Sequence, residues 1–351
     1  MKSPETYVCA GGGGVGKTTT SAALALSLAR RGERVLVVSI DPARRLADAL
    51  GVQLGGHATP VDIDAGDGAL FAMMPNPRDS MRTFVGILFE GEPEALARML
   101  RNRLYQMLEN AVPGMHELVA MTLTWRAVAE HRVDALVVDT APSRNAVDFI
   151  NYPDRLAKLL GGRAVTWLAA LAQSGGDARP QGRAGKLLEK VLGPAVGDLA
   201  GFVGELARVR GRFVELNEGM AELLLGSRSR YLVVASPTGA ARDDAAYLIR
   251  RLEKLVGRPA ALVVNAAMAP ERAWAETLRN APETTEAMAR TLELLSIEAD
   301  QRAQATARVV DSLQRKHDTV PLWRLPFVEA LSPRDVVEQL STALTALLAK
   351  A

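Results

Sequence analysis

Short apolar runs rich in β-branched residues recur along the chain, and each stops at a polar residue, glycine or proline. They are ETYVCA (5–10), RVLVVSID (34–41), GALFAMM (68–74), VDALVVDT (133–140), RYLVVASP (230–237), ALVVNA (261–266) and TVPLWRLPF (319–327). Continuous apolar runs of this length, without strict alternation, are the pattern of parallel strands buried on both faces. Stretches of helical periodicity fall between most of them. TTTSAALALSLARRG (18–32), for example, ends at Gly32, as a helix C-terminus should. The alternation predicts an α/β fold: a doubly wound, mostly parallel sheet with helices on both faces. Ligands of such sheets sit at the carboxyl ends of the strands, where the special residues of this chain fall.

Two longer helical stretches interrupt the alternation. The first, 75–130, contains MRTFVGILFE, EALARMLRNRLYQMLENAV, a Pro113–Gly114 break and HELVAMTLTWRAVAEH. The second, 151–229, contains RLAKLLGGRAVTWLAALAQ, the loop SGGDARPQGRAG, KLLEKVLG and DLAGFVGELARVRGRFVELNEGMAELLLG. Both are amphipathic. The expectation is a single nucleotide-binding domain over 1–351, with 75–130 and 151–229 forming a helical subdomain.

The chemistry concentrates in CAGGGGVGKTTT (9–20). Gly11 through Thr18 obey the spacing Gly-x-x-x-x-Gly-Lys-Thr, with a strand before and a helix after. In such a loop Gly11, Gly12, Gly13, Gly14, Val15 and Gly16 let backbone N–H groups converge on phosphate oxygens. Lys17 is expected to pair with the β- and γ-phosphates, Thr18 to ligate Mg²⁺ through its hydroxyl, and Thr19 to lie in the same turn. Asp139 ends an apolar strand, where a second support for Mg²⁺ is expected. Asp41 ends another, placed to orient or deprotonate the attacking water. Asn265 ends ALVVN, and its amide could read an adenine edge. An ordinary turn-closing role is the competing reading for each of these three.

Composition narrows the setting. The chain has 351 residues, 48% apolar and 23% charged, with a net charge of +2. That is the composition of a globular protein without the concentrated basic face of a nucleic-acid binder. One cysteine, Cys9, leaves no internal disulfide and no multi-cysteine metal site. No apolar leader or membrane-spanning run is evident, so a cytoplasmic location is expected. The four histidines, His57, His116, His131 and His317, show no ligand spacing.

The stretch GGGGVGKTTTSAALALSLARRGERVLVVSIDPARRLADALG resembles the ArsA family of ATPases, which includes arsenite-pump ATPases and the ATPase that targets tail-anchored membrane proteins. DTAPSRNAVDFINYPDRL looks like that family's second switch, AVPGMHEL like a segment ahead of it, and VVN (263–265) with PLWRLPF (321–327) like its adenine-contacting segments. The resemblance implies a dimer with ATP near the interface, Asp41 in switch I, Asp139 in switch II, and Asn265, Pro326 and Phe327 around adenine. It also implies Mg²⁺ and ATP as cofactor and substrate.

Departures from the family pattern shape the rest. Where the family loop carries a lysine that crosses to the partner's phosphates, this chain has Gly12. The Cys-x-x-Cys pair of the targeting branch is missing, so no zinc clamp is expected, and one cysteine cannot capture arsenite. Three expectations follow. A lysine-bearing paralogue completes the site in a heterodimer; or a homodimer substitutes Arg44, Arg45 or Arg144 for the lysine; or the chain is a homodimeric carrier that binds a hydrophobic protein segment in an ATP-gated helical groove. Methionines before the second switch, Met73, Met74, Met81, Met99, Met107, Met115 and Met121, suit either such a groove or an ordinary core.

Overall fold

A computed structural model describes residues 3–41, 43–75, 77–108, 115–141, 195–268, 281 and 285–349. Ser143, Arg144 and Asn145, the Pro113–Gly114 break and the helical patterns of 151–193 lie outside the described residues.

The described elements run β1 (Glu5–Gly11), α1 (Lys17–Ala29), β2 (Arg34–Ser39), α2 (Arg45–Leu50), β3 (Thr59–Pro60), β4 (Ala69–Met73), α3 (Pro77–Leu88), α4 (Pro93–Arg101), α5 (Arg103–Leu108), α6 (Met115–His131), β5 (Ala135–Asp139), α7 (Ala195–Arg208), α8 (Arg210–Leu225), β6 (Ser229–Ala235), α9 (Gly239–Leu255), β7 (Ala261–Ala267), α10 (Glu286–Lys316), β8 (Leu322–Pro326) and α11 (Pro333–Leu348). They form two compact units: Met1–Met74 with His131–Val147 and Ser227–Ala351, and Pro75–Glu130 with Asp148–Gly226.

The first unit is built on one eight-stranded sheet in the order β3-β4-β2-β5-β1-β6-β7-β8. Every neighbouring pair is parallel except β3 with β4. Each apolar run of the sequence becomes one of these strands. Their valines, Val8, Val35, Val37, Val137, Val138, Val233 and Val263, are wholly inaccessible, as strands covered on both faces require. The short β3 was not apparent in the sequence. It has two residues, one of them a proline, and proline is tolerated only at a sheet edge.

Helix α1 shows how the sequence serves the site. Lys17 and every residue from Thr20 to Ala29 are buried. Its alanines and serines keep it narrow enough to lie between the sheet and neighbouring helices, while Leu24, Leu26 and Leu28 fill the remaining space. Each of those leucines contributes about 1.5–3 kcal/mol by leaving water. Ser27 Oγ lies 2.8 Å from Thr345 Oγ1 on α11, so the buried hydroxyls satisfy each other. Helix α11 begins at a reciprocal cap: Ser332 Oγ accepts the Asp335 amide at 3.2 Å, and Asp335 Oδ2 accepts the Ser332 amide at 3.1 Å.

The second unit is helical. EALARMLRNRLYQML reads as one helix in sequence but divides into α4 and α5 at Asn102, whose backbone is extended. The Asn102 side chain explains the break. Its Oδ1 accepts the amides of Leu104 and Tyr105, and its Nδ2 donates to the Asp198 carbonyl at 2.7 Å. Met99 and Met121 are buried here, and Met73 is buried in the first unit, which gives all three an ordinary core role. Met107 differs, at 70% exposed. No helix among the described residues is long and apolar enough to cross a membrane.

Candidate nucleotide site

β1 delivers the chain to Gly11, where the parallel ladder with β6 pairs Gly11 with Val234. A Cβ at Gly11 would stand 2.4 Å from the Val234 carbonyl oxygen, so only glycine fits this turn. Gly12 is buried, and Gly13 and Gly14 face open space. Gly14 and Gly16 take φ values of 72° and 83°, in the left-handed region. Gly16 caps α1, so the free amides of the first turn point out of the helix beside the loop.

Four side chains converge beneath this loop. Lys17 Nζ donates to the Gly12 carbonyl at 2.9 Å. Burial lowers the Lys17 pKa, an effect opposed by the negative charges of Asp139 and Asp41. Thr18 Oγ1 donates to Asp139 Oδ2 at 2.8 Å, and Ser39 Oγ donates to the same oxygen at 2.9 Å. The ladder explains the second bond, because β2 and β5 place Ser39 directly opposite Asp139. Burial pushes the Asp139 carboxyl up to about 6, against the pull of those two hydrogen bonds and of Lys17. Its other oxygen, Oδ1, is buried with no hydrogen-bond partner.

That orphan oxygen and the adjacent Thr18 hydroxyl fit a Mg²⁺ ion held with phosphate and water, the usual way this cation is bound. No cluster of three or more His, Cys, Asp or Glu capable of caging a metal occurs among the described residues.

Asp41 follows β2. Its Oδ1 accepts the Ala43 amide at 3.1 Å, and its Oδ2 lies 3.8 Å from Arg45 Nη1. Thr19 is half-buried in the first turn of α1. Asn265, on β7, donates Nδ2 to the Val15 carbonyl at 3.1 Å, so this amide buttresses the loop. A Cβ at Gly16 would fall 2.0 Å from the same nitrogen. Pro326 ends β8 opposite Ala267, and the Phe327 amide donates to the Ala267 carbonyl at 3.2 Å. Phe327 is 51% exposed, an unfilled aromatic face at the carboxyl edge of the same sheet. All the named residues lie in the first unit.

Sequence reasoning passed over Ser39 and Asp244. Ser39 is a polar residue closing an apolar strand, a signal of the same kind that drew attention to Asp41. Asp244, on α9, puts Oδ2 2.8 Å from where a Cβ at Gly12 would sit. Nothing local in the sequence links the two.

The sheet order and the loop define an α/β protein of the P-loop NTPase class. A family model described as anion-transporting ATPase, the ArsA ATPases, matches residues 5–176. Proteins named ATPase GET3 are similar over part of the chain. The one from Rhodotorula glutinis is 38% identical over 151 residues, 43% of this chain and 41% of that protein. The one from Malassezia globosa is 36% identical over 160 residues, 46% of each. The one from Podospora anserina is 37% identical over 151 residues, 43% of each. The matches therefore span less than half the length of these relatives. Over residues 5–176 the chain is therefore similar to the ArsA-like ATPases.

Proposed function

We propose that this chain is a Mg²⁺-dependent ATPase that works as a dimer and uses the nucleotide cycle as a conformational switch. The observation that carries the reading is the convergence of Lys17, Thr18, Asp41 and Asp139 at one end of β1, β2 and β5, under a loop whose first turn, at Gly11, leaves no room for a Cβ. In this reading Lys17 leaves the Gly12 carbonyl for the β- and γ-phosphates. Thr18 and Asp139 would hold Mg²⁺, which would neutralise charge on the phosphate oxygens. Asp41 accepts a hydrogen bond from the attacking water and orients it in line with the terminal phosphate. Asn265 fixes the loop from the adenine side, with Pro326 and Phe327 offering an apolar surface to the base. Binding of the triphosphate and its loss on hydrolysis would move the two switch segments.

The partner reading follows from Gly12. A cation reaching transferred phosphate from a neighbouring subunit is worth about 10³–10⁵ in rate, and this loop offers none to its neighbour. A lysine-bearing paralogue would complete this chain's site in a heterodimer. Phosphate release from the purified chain, with and without such a paralogue, tests it. Slow turnover alone and a large gain on mixing are expected, while full turnover by the pure chain would overturn the heterodimer. Gly12→Lys should raise the turnover of the pure chain, since the atom nearest an added Cβ belongs to a side chain, the Asp244 carboxylate, and not to backbone.

A homodimeric carrier for a hydrophobic protein segment is the second reading. Exposed Met107, Val214 and Leu225 in the helical unit favour it. Photocrosslinking a transmembrane peptide in the presence of ATP tests it, and an absence of adducts in the helical unit would count against it.

A further inference from the structure

Asp41 is restrained on both oxygens. One is tied to the backbone of its own turn, through the Ala43 amide. The other faces Arg45, at 3.8 Å. This second contact is close enough for charge attraction and too long for a hydrogen bond. The two partners also differ in freedom: the Asp41 side chain is 9% exposed and the Arg45 side chain 57%. Arg45 is the first residue of α2, and its guanidinium has no other ion pair or hydrogen bond among the described residues. Lys17 also lies within range of its charge.

We propose that Arg45 is the γ-phosphate sensor of this site. Without a triphosphate it neutralises Asp41. With ATP bound it turns to the terminal phosphate, leaving Asp41 free to accept a hydrogen bond from water. The inference rests on the ATPase reading given above. A terminal phosphate offers more charge than one carboxylate oxygen and a geometry that a guanidinium can grip with two parallel bonds. The loose contact and the exposed side chain allow the exchange at little cost. ADP lacks the terminal phosphate, so the Arg45–Asp41 pair would survive with ADP bound. Arg44, the neighbouring arginine, is exposed and has no ion pair among the described residues, and nothing points it at the site.

Calorimetric titration of the full chain with ATPγS and with ADP, both with Mg²⁺, tests the assignment. Arg45→Ala should weaken ATPγS binding by roughly tenfold or more, the worth of a charged hydrogen bond, and leave ADP within about twofold. Arg45→Lys should fall between, keeping the charge and losing the fork. Asp41→Asn should tighten ATPγS severalfold, and that gain should vanish in the Arg45→Ala/Asp41→Asn double variant, because it depends on a freed Arg45. Equal changes for both nucleotides in Arg45→Ala, no change for either, or an Asp41→Asn gain that survives in the double variant would overturn the sensor. Lys17→Ala separates the two levels. Loss of both nucleotides there, with an unchanged ATPγS-to-ADP ratio in Arg45→Ala, defeats the sensor alone. Undiminished binding in Lys17→Ala defeats the ATPase reading itself.

Discussion

The two ends of the central sheet carry similar kinds of side chain and put them to opposite use. At the carboxyl ends, Lys17, Asp41 and Asp139 are buried and held by hydrogen bonds to Gly12, Ala43, Thr18 and Ser39. At the amino ends, Glu5, Arg31, Glu33, Asp134 and Arg228 line an open recess of about 440 Å³ and are exposed or half-exposed. The ion pair there between Arg230 and Glu5 spans 3.6 Å. Charges left in water interact weakly, and such pairs contribute about 0–1 kcal/mol. Charges withdrawn from water need partners, and a carboxylate oxygen left over, such as Asp139 Oδ1, is a place for a cation. Burial with convergence, rather than charge count, distinguishes the candidate site.

The largest expected effects lie at the carboxyl end. Asp41→Asn should lower ATP turnover by about 10²–10⁴-fold while nucleotide binding persists. Lys17→Ala should lower it by about 10²–10³-fold and weaken binding as well. Phosphate release and calorimetry measure both. Neutralising Glu33 at the amino end, as Glu33→Gln, should leave turnover unchanged. A comparable loss there would erase the distinction between the ends.

Two glycine replacements sharpen it next. Gly68, at the entry to β4, has carbonyl oxygens of Ala29 and Glu33 2.1 Å and 2.5 Å from an added Cβ. Backbone cannot step aside cheaply, so Gly68→Ala should cost about 2–3 kcal/mol in denaturant melts with nucleotide affinity retained in the folded fraction. Gly16→Ala forces a left-handed alanine and displaces Asn265, costing about 1–3 kcal/mol and also weakening nucleotide binding. Equal nucleotide losses in the two variants would contradict the assignment.

A pH effect follows from Asp139. Its folded pKa, about 6, is above the ordinary aspartate value of 3.8, so between those values the folded chain binds more protons than the unfolded. This group's stabilising share is therefore present near pH 4 and is lost as pH rises through about 6. Mg²⁺ requires the carboxylate, so Mg·nucleotide binding should strengthen over the same rise. Asp139→Asn should flatten both trends in thermal melts with and without Mg·ATP. The smallest effect is expected from Glu33→Gln on stability, within about 0.5 kcal/mol.

Much of this was legible in the sequence where the signal is local. The phosphate loop is one contiguous stretch, and Asp41, Asp139 and Asn265 each close an apolar run, so strand pattern alone set them at one end of a parallel sheet. What stayed hidden depends on register and on contacts between distant segments. Ser39 meets Asp139 only because β2 lies beside β5, 100 positions away in the chain. Asp244 reaches Gly12 from α9, and Asn102 breaks a helix by bonding to backbone that periodicity cannot reveal. The 31-residue α10 also escaped singling out. Its first half exposes Met288, Leu294, Leu295 and Ile297, so it lacks the one-sided burial that marks a core helix.

The central claim is that the carboxyl end of this sheet binds Mg·ATP through Lys17. Titrating Mg·ATP into the purified chain and into Lys17→Ala, with thermal melts confirming that both are folded, tests it most directly. Saturable binding at one site per chain, lost in the variant, is the predicted result. No binding by the parent chain, or equal affinity in both, would contradict it.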